Sequence, residues 1–439
     1  MSKEINMNEM IIKKRDGNKL SKEEIEDIIG SYNEGVIPDY QMSAFLMAIY
    51  YMGLDKEETF ELTKAILNSG EKIDLSEIEG IKIDKHSTGG VGDKTTLIAT
   101  PIAAAAGVPI AKMSGRGLGF TGGTVDKLSS IQGFKIELTS EEFINQVNNI
   151  GISIISQSGD ITPADKKLYA LRDVTGTVDS MSLIASSIMS KKLASGSDGI
   201  ILDVKCGKGA FFKKEDDAIK ASEMMIDIGE SAGKKVAVVI SSMDQPLGRA
   251  VGNTLEVMEA LDVLKGVGDS DITEISLELA GIMIYMSGIA DDLSEGREIA
   301  SDVLYSGKAL NKLRELVKAQ GGNSQIIDDY SIFGIARYSR SIEAEDIGYI
   351  SLLDAETIGK ASQLSGAGRA HKEDEIDFQS GIIIYKKLGE QVAEGDKVIE
   401  IFSNDEDKLN KAFEIAKNSF KITKEKVSVS SVIKKTIGV

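Results

Sequence analysis

The chain has 439 residues, 42% apolar and 27% charged, which fits a globular protein of about three domains and excludes disorder. With 69 acidic against 51 basic residues the net charge is −18, so the surface repels nucleic acid and anionic membrane, and any anion site must be built locally. A single cysteine, Cys206, excludes an internal disulfide, and two histidines, His86 and His371, exclude a zinc cage of histidine and cysteine.

Residues 8–69 read as helices. Ser21-Lys-Glu-Glu24 is a capping box, followed by Ile25, Ile28, Ile29 and Tyr32 at helical spacing. Pro38-Asp39 opens a second helix and Asp55-Lys-Glu-Glu58 a third, and the Met and Tyr content of this segment (Met42, Met47, Tyr50, Tyr51, Met52) suits core or subunit interface. The N-terminus lacks an apolar signal core and no apolar run reaches the ~18–20 residues of a membrane span, so a cytoplasmic protein without a membrane partner is expected.

From Ile81 the pattern changes to short apolar strands alternating with helices. Strands are expected at Ile81–Asp84, Val108–Met113, Ile152–Ser156, Gly199–Val204 and Val236–Ser241. Helices are expected at Thr95–Ala106, Glu141–Ile150, Ala164–Asp173, Ser180–Leu193, Leu255–Leu264 and Ile272–Met286. Such alternation implies βαβ units and a mainly parallel sheet. After Lys318-Ala-Gln-Gly-Gly322 the style shifts again, and Gly381–Tyr385, Gly389–Val392 and Gly395–Ile401 look like strands of a compact α+β module. The fold class is therefore multi-domain α/β: a small all-helical domain, a large α/β domain with a mixed, mainly parallel sheet, and a C-terminal α+β module.

Two glycine-rich loops carry the chemistry. The first is Lys85-His-Ser-Thr-Gly-Gly-Val-Gly-Asp-Lys-Thr-Thr96. Glycines let the main chain approach an anion closely, and the amides opening the next helix can hold it. Ser87 and Thr96 can donate hydroxyls and Lys85 supplies charge. The second is Lys112-Met-Ser-Gly-Arg-Gly-Leu-Gly-Phe-Thr-Gly-Gly-Thr-Val-Asp-Lys127, which contains G-x-G-x-x-G at Gly117–Gly122. That match is weak evidence for a dinucleotide, because Lys112, Ser114 and Arg116 crowd its entrance; phosphate binding ranks above a dehydrogenase. On two later helices Tyr169 and Arg172 share a face, as do Ser187 and Lys191, although spacing alone selects none of them.

Together these segments resemble the thymidine phosphorylase and pyrimidine-nucleoside phosphorylase family. The signature is Ser114-Gly-Arg-Gly-Leu-Gly-Phe-Thr-Gly-Gly-Thr-Val-Asp-Lys-Leu128. Lys85–Asp93 looks like the family's phosphate loop, and Thr162–Asp173 with Ser186–Lys192 look like its base-binding helices. The resemblance spans essentially the whole chain. It implies a helical domain of residues 1–66 plus about 160–190, an α/β domain of 67–159 plus about 191–330, a C-terminal domain of about 340–439, and a homodimer.

The implied reaction is reversible phosphorolysis of pyrimidine nucleosides (uridine, thymidine, deoxyuridine) to free base and pentose-1-phosphate. By resemblance, phosphate is held by Lys85, His86, Ser87, Thr96, Lys112, Met113, Ser114 and Thr124. Tyr169, Arg172, Ser187 and Lys191 bind the base, with an apolar wall of Leu118, Val178, Ile184, Ile188 and Phe211. His86, Arg172 and Lys191 are the catalytic set, His86 as a proton donor that titrates near neutrality. Lys112 resembles broad-specificity members. No cofactor is required beyond phosphate as co-substrate. A potassium site seen in some relatives matches Gly92, Lys94, Leu247, Ala250 and Glu259, where the Lys94 ammonium could replace the ion.

Two positions depart from the family: Phe120 where histidine is usual, and Ser129 where glutamate is usual. Neither is a direct substrate contact, so activity is expected to survive. The alternatives are an anthranilate-type phosphoribosyltransferase, for which no acidic magnesium motif is found, and a non-catalytic nucleoside-binding protein decayed at those two positions.

Overall fold

The computed structural model describes residues 5–117, 120, 122–157, 160–369, 371 and 374–439. Four N-terminal helices, Met7–Arg15, Lys22–Asn33, Asp39–Met52 and Lys56–Leu67, open the chain. The second and fourth begin with complete capping boxes at Ser21/Glu24 and Asp55/Glu58, where each side chain satisfies main-chain N–H groups that a helix start leaves unpaired. Their apolar faces (Ile28, Phe45, Ile49, Leu62, Ile66) enclose a core that also takes Ala164, Leu168 and Leu183 from two later helices, Pro163–Thr175 and Met181–Ala194.

The α/β region holds β1 (Ile83–Ser87), β2 (Ile110–Ser114), β3 (Ile152–Ser156), β4 (Gly199–Cys206), β5 (Lys235–Ser242) and the short β6 (Ala250–Val251). β1, β4 and β5 are parallel neighbours, and β2 pairs with β3 in a separate parallel pair. β4 is buried along its whole length and β5 nearly so, as strands covered on both faces are; the Ile200–Leu202 and Val236–Ile240 runs are apolar, and the charges inside β4, Asp203 and Lys205, pair with each other at 2.7 Å. β1 reaches three residues beyond the expected Ile81–Asp84: Lys85, His86 and Ser87 sit on the strand, paired with Ile201, Leu202 and Asp203. Ladder hydrogen bonding overrides the polar, loop-like composition here, and the chemistry-bearing residues gain a rigid mount.

The C-terminal module contains β7 (Tyr338–Glu343), β8 (Gly348–Leu353), β9 (Gly381–Ile384), β10 (Gln391–Val392), β11 (Lys397–Ser403) and β12 (Phe420–Thr423), with helices Ala355–Ser362 and Glu406–Ala416. β10, β8 and β12 make one antiparallel sheet; β9, β11 and β7 make another, whose outer strand is β6 of the α/β region. The exchange runs both ways. The last strand, β13 (Ile433–Ile437), leaves the module and pairs antiparallel with β5. One apolar core accordingly runs from Ile98 and Ile201 in the α/β region through to Ile382 and Ile401.

Candidate active site

Side chains alternate along a strand, so β1 presents two faces. On one, Lys85 donates to Thr95 Oγ1 at 2.6 Å and Thr96 Oγ1 at 3.3 Å, and lies 3.7 Å from Asp203 of β4. Ser87 donates to Asp93, which also accepts from the Thr95 hydroxyl at 2.6 Å. Burial would raise the Asp93 carboxyl, but Lys205, Lys85 and these hydroxyls hold it well below the usual carboxylate range. The first glycine loop is thus tied to the start of the Thr95–Ala105 helix by its own side chains.

On the other face Asp84 is buried, 2.7 Å from Lys192 and 3.3 Å from Lys112. His86 follows it toward the same neighbours. Burial first, then the charges of Lys192, Lys112, Lys191 and Lys85, push its imidazole well below the ordinary histidine value. The expectation of a histidine titrating near neutrality is corrected here: the ring is neutral and offers an N–H rather than a spare proton. Lys112 is itself pushed down to about 7, chiefly by burial, although Asp84 works against the shift. Its ammonium also donates to the Met113 carbonyl at 2.6 Å.

Of the other expected phosphate ligands, Ser114 ends β2 opposite Ser156, and Thr124 opens the short Thr124–Ser129 helix after the second loop. The Met113 side chain points away and packs in an apolar cluster with Leu75, Ile78 and Phe143, so only its carbonyl faces the lysines.

The base-side residues come from the two helices that join the helical core. Ser187 and Lys191, one turn apart, touch: Lys191 donates to the Ser187 hydroxyl at 3.0 Å and to Asp165 at 2.7 Å. Arg172 is 3% exposed. Its guanidinium donates to the carbonyls of Thr177 (3.2 Å), Leu183 (3.1 Å) and Val178, fastening the turn between the two helices. These bonds engage three of its five donors. Tyr169 is 42% exposed, its ring 6.0 Å from that guanidinium. Of the apolar wall, Ile184 packs with β4 and β5 residues and Ile188 lies against the same cluster. Val178 is half-buried, Phe211 is exposed beside Phe212, and Leu118 lies outside the described residues.

At the matched potassium positions, the Lys94 ammonium, wholly buried, donates to the carbonyls of Leu247 (3.0 Å) and Ala250 (2.9 Å) and to Glu259. Gly92, with φ +73°, lets the loop lie against those carbonyls where a Cβ would collide. Phe120 packs on the apolar core, its ring lying against Gly359 of the C-terminal module beside Val91. Ser129 donates to Val125 within its own helix. Sequence reasoning missed Asp84, Asp165 and Lys192. Alternation along β1 puts Asp84 with His86, and Lys192 adjoins Lys191, but nothing local marks Asp165.

Comparison with known proteins agrees with this organisation. Residues 8–70 match the glycosyl transferase family helical bundle domain and 79–310 the glycosyl transferase family a/b domain. Residues 349–423 match the pyrimidine nucleoside phosphorylase C-terminal domain. Pyrimidine-nucleoside phosphorylases of Geobacillus stearothermophilus and Bacillus subtilis are each 53% identical over 400 residues, 91% of this chain and 92% of theirs. That of Staphylococcus haemolyticus is 51% identical over 93% of this chain and 96% of its own. The crystal structure of anthranilate phosphoribosyltransferase from Thermus thermophilus aligns with a TM-score of 0.58 at 20% identity, covering 71% of this chain and 99% of that one, which shows a shared fold. Identity of this extent, over nearly the whole of both chains, makes this protein a member of the pyrimidine-nucleoside phosphorylase family.

Proposed function

We propose that the protein catalyses reversible phosphorolysis of pyrimidine nucleosides to free base and pentose-1-phosphate. The observation that carries this reading is the gathering of Lys85, Lys112, Lys191 and Lys192 about β1 and His86, each beside a buried carboxylate (Asp203, Asp84, Asp165 and Asp84), in a chain of net charge −18. Phosphate binds between the two glycine loops, among Lys85, Lys112, the N–H of His86, and the hydroxyls of Ser87, Thr96, Ser114 and Thr124. Its dianion neutralises the lysines and raises the proton affinity of His86 and Lys112.

A phosphate oxygen then attacks the anomeric carbon as the N-glycosidic bond breaks. The bond's electron pair passes to the pyrimidine, whose ring oxygens are met by Arg172 and Lys191, with Ser187 and Tyr169 orienting the ring. Donors aimed where charge develops act on the transition state more than on the ground state. His86, charged once phosphate is bound, supplies the proton that leaves the base neutral. Lys112, where this chain resembles broad-specificity members of the family, supports acceptance of both ribo- and deoxyribonucleosides.

The test is release of uracil from uridine and thymine from thymidine, with and without phosphate. Phosphate-dependent release from both is expected; release from thymidine alone removes the broad-specificity claim. No monovalent cation is needed, because the Lys94 ammonium fills the matched site through Leu247, Ala250 and Glu259; activity that rose steeply with potassium but not sodium would overturn this. The exposed Tyr40, Tyr51 and Val36 of the helical domain support a homodimer, which light scattering checks. No described helix is long and apolar enough to cross a membrane, and a salvage activity on soluble nucleosides suits the cytoplasm.

A further inference from the structure

Lys127 lies on the short helix after the second glycine loop and is 1% exposed. Its ammonium donates to the carbonyl of Asp93 in the first loop at 2.9 Å and of Gly122 in the second at 3.0 Å. It also stands 3.2 Å from the carboxylate of Glu256 on the Asn253–Leu264 helix, whose other oxygen accepts the Gly252 N–H at 3.1 Å. One buried cation therefore joins both loops to a third element. A lysine directed only at an ion pair would leave the loop carbonyls to other donors; this one holds a main-chain oxygen from each loop. Its partners lie on the α/β side, away from the base-binding helices. Its charge also reaches the phosphate side, where it helps depress Lys85.

We propose that Lys127 is a positioning residue that sets the separation of the two glycine loops, and through it the affinity for inorganic phosphate rather than for nucleoside. The inference rests on the phosphorylase reading. An anion gripped by Ser87 and Thr96 from one side and Ser114 and Thr124 from the other is held well only if the loops keep their spacing to within ~0.5 Å.

Lys127→Met alone would strand Glu256 as a buried, unpaired charge, so the informative variant is Lys127→Met with Glu256→Gln. Two measurements are made: initial rates against phosphate at saturating uridine and the converse, and the rise in Tm produced by inorganic phosphate. The expected result is a phosphate KM raised about tenfold or more, a uridine KM within about twofold of wild type, and a smaller phosphate-induced rise in Tm. A folded double variant with the wild-type phosphate KM, or one in which both KM values rise together, overturns the proposal. Should that variant not fold, Lys127→Gln with Glu256→Gln, whose amides can pair, carries the same readout; failure of both to fold makes Lys127 a determinant of folding and also overturns it. A wild-type protein that releases no base with phosphate sinks the phosphorylase reading instead, and the Tm measurement then still tests Lys127 by itself.

Discussion

The two halves of the candidate site are built on different terms. On the phosphate side the ligands ride on β1 and β2, and Lys85, Ser87, Thr95, Thr96 and Asp93 are bonded to one another within the α/β core. On the base side the cations are already engaged: Lys191 with Asp165, and Arg172 with three main-chain carbonyls. In the proposed reading the first half carries its hydroxyls on a rigid strand and helix start, although Lys85 and Lys112 are themselves paired with Asp203, Asp84 and the Met113 carbonyl. The second must exchange protein partners for substrate atoms or use the donors left over. Preorganised dipoles cost no reorganisation when charge develops, whereas engaged ones act through the contrast between ground and transition states.

The largest effect that tests this contrast is expected on the base side. Arg172→Met should lower kcat/KM for uridine by about 10³-fold, in the range for loss of a donor at a developing charge. A loss below tenfold would mean that Arg172 only fastens the Thr177–Leu183 turn, and the base side would then resemble a plain scaffold. Next in size, Lys94→Ala leaves the partly buried Glu259 and two carbonyls without their cation, which should cost about 3 kcal/mol of stability by denaturant titration. Potassium should restore part of that loss better than sodium; equal recovery with both would point to general screening.

A smaller effect concerns pH. With Lys112 pushed down to about 7 by burial, it is mostly neutral at pH 8, and a bound dianion raises its proton affinity. Phosphate binding should then take up protons, and the phosphate KM should climb by up to about tenfold per pH unit above neutrality. Lys112→Met should flatten that climb, and a profile unchanged in the variant would assign the proton elsewhere. Smallest of all, Phe120→His should change kcat/KM by no more than about threefold, because the ring packs on the apolar core against Gly359. A large gain would revive the idea that this position had decayed.

Local signals were readable in the sequence and long-range ones were not. The boxes at Ser21 and Asp55, the strand Ile152–Ser156, and the contact of Ser187 with Lys191 follow from spacing within one element. The extra length of β1 was hidden because Lys85, His86 and Ser87 look like loop residues until β4 supplies their ladder partners. The depressed imidazole of His86 depends on burial first and then on lysines from β2 and the Met181–Ala194 helix, and Lys127 reads as an ordinary surface charge until three elements close over it. For the same reason nothing at Ala250–Val251 or Ile433–Ile437 announces that each pairs outside its own region.

That last pairing bears on how the chain reaches its native state. The outer edge of β5 is covered by a strand from the far end of the polypeptide, so a nascent chain carrying β1, β4 and β5 without β13 displays an unpaired row of amides and carbonyls beside the apolar run Val236–Ile240. Such an edge is a template for intermolecular pairing. Production of the protein should therefore be sensitive to C-terminal clipping or to tags fused close to Ile437, with insoluble material as the outcome.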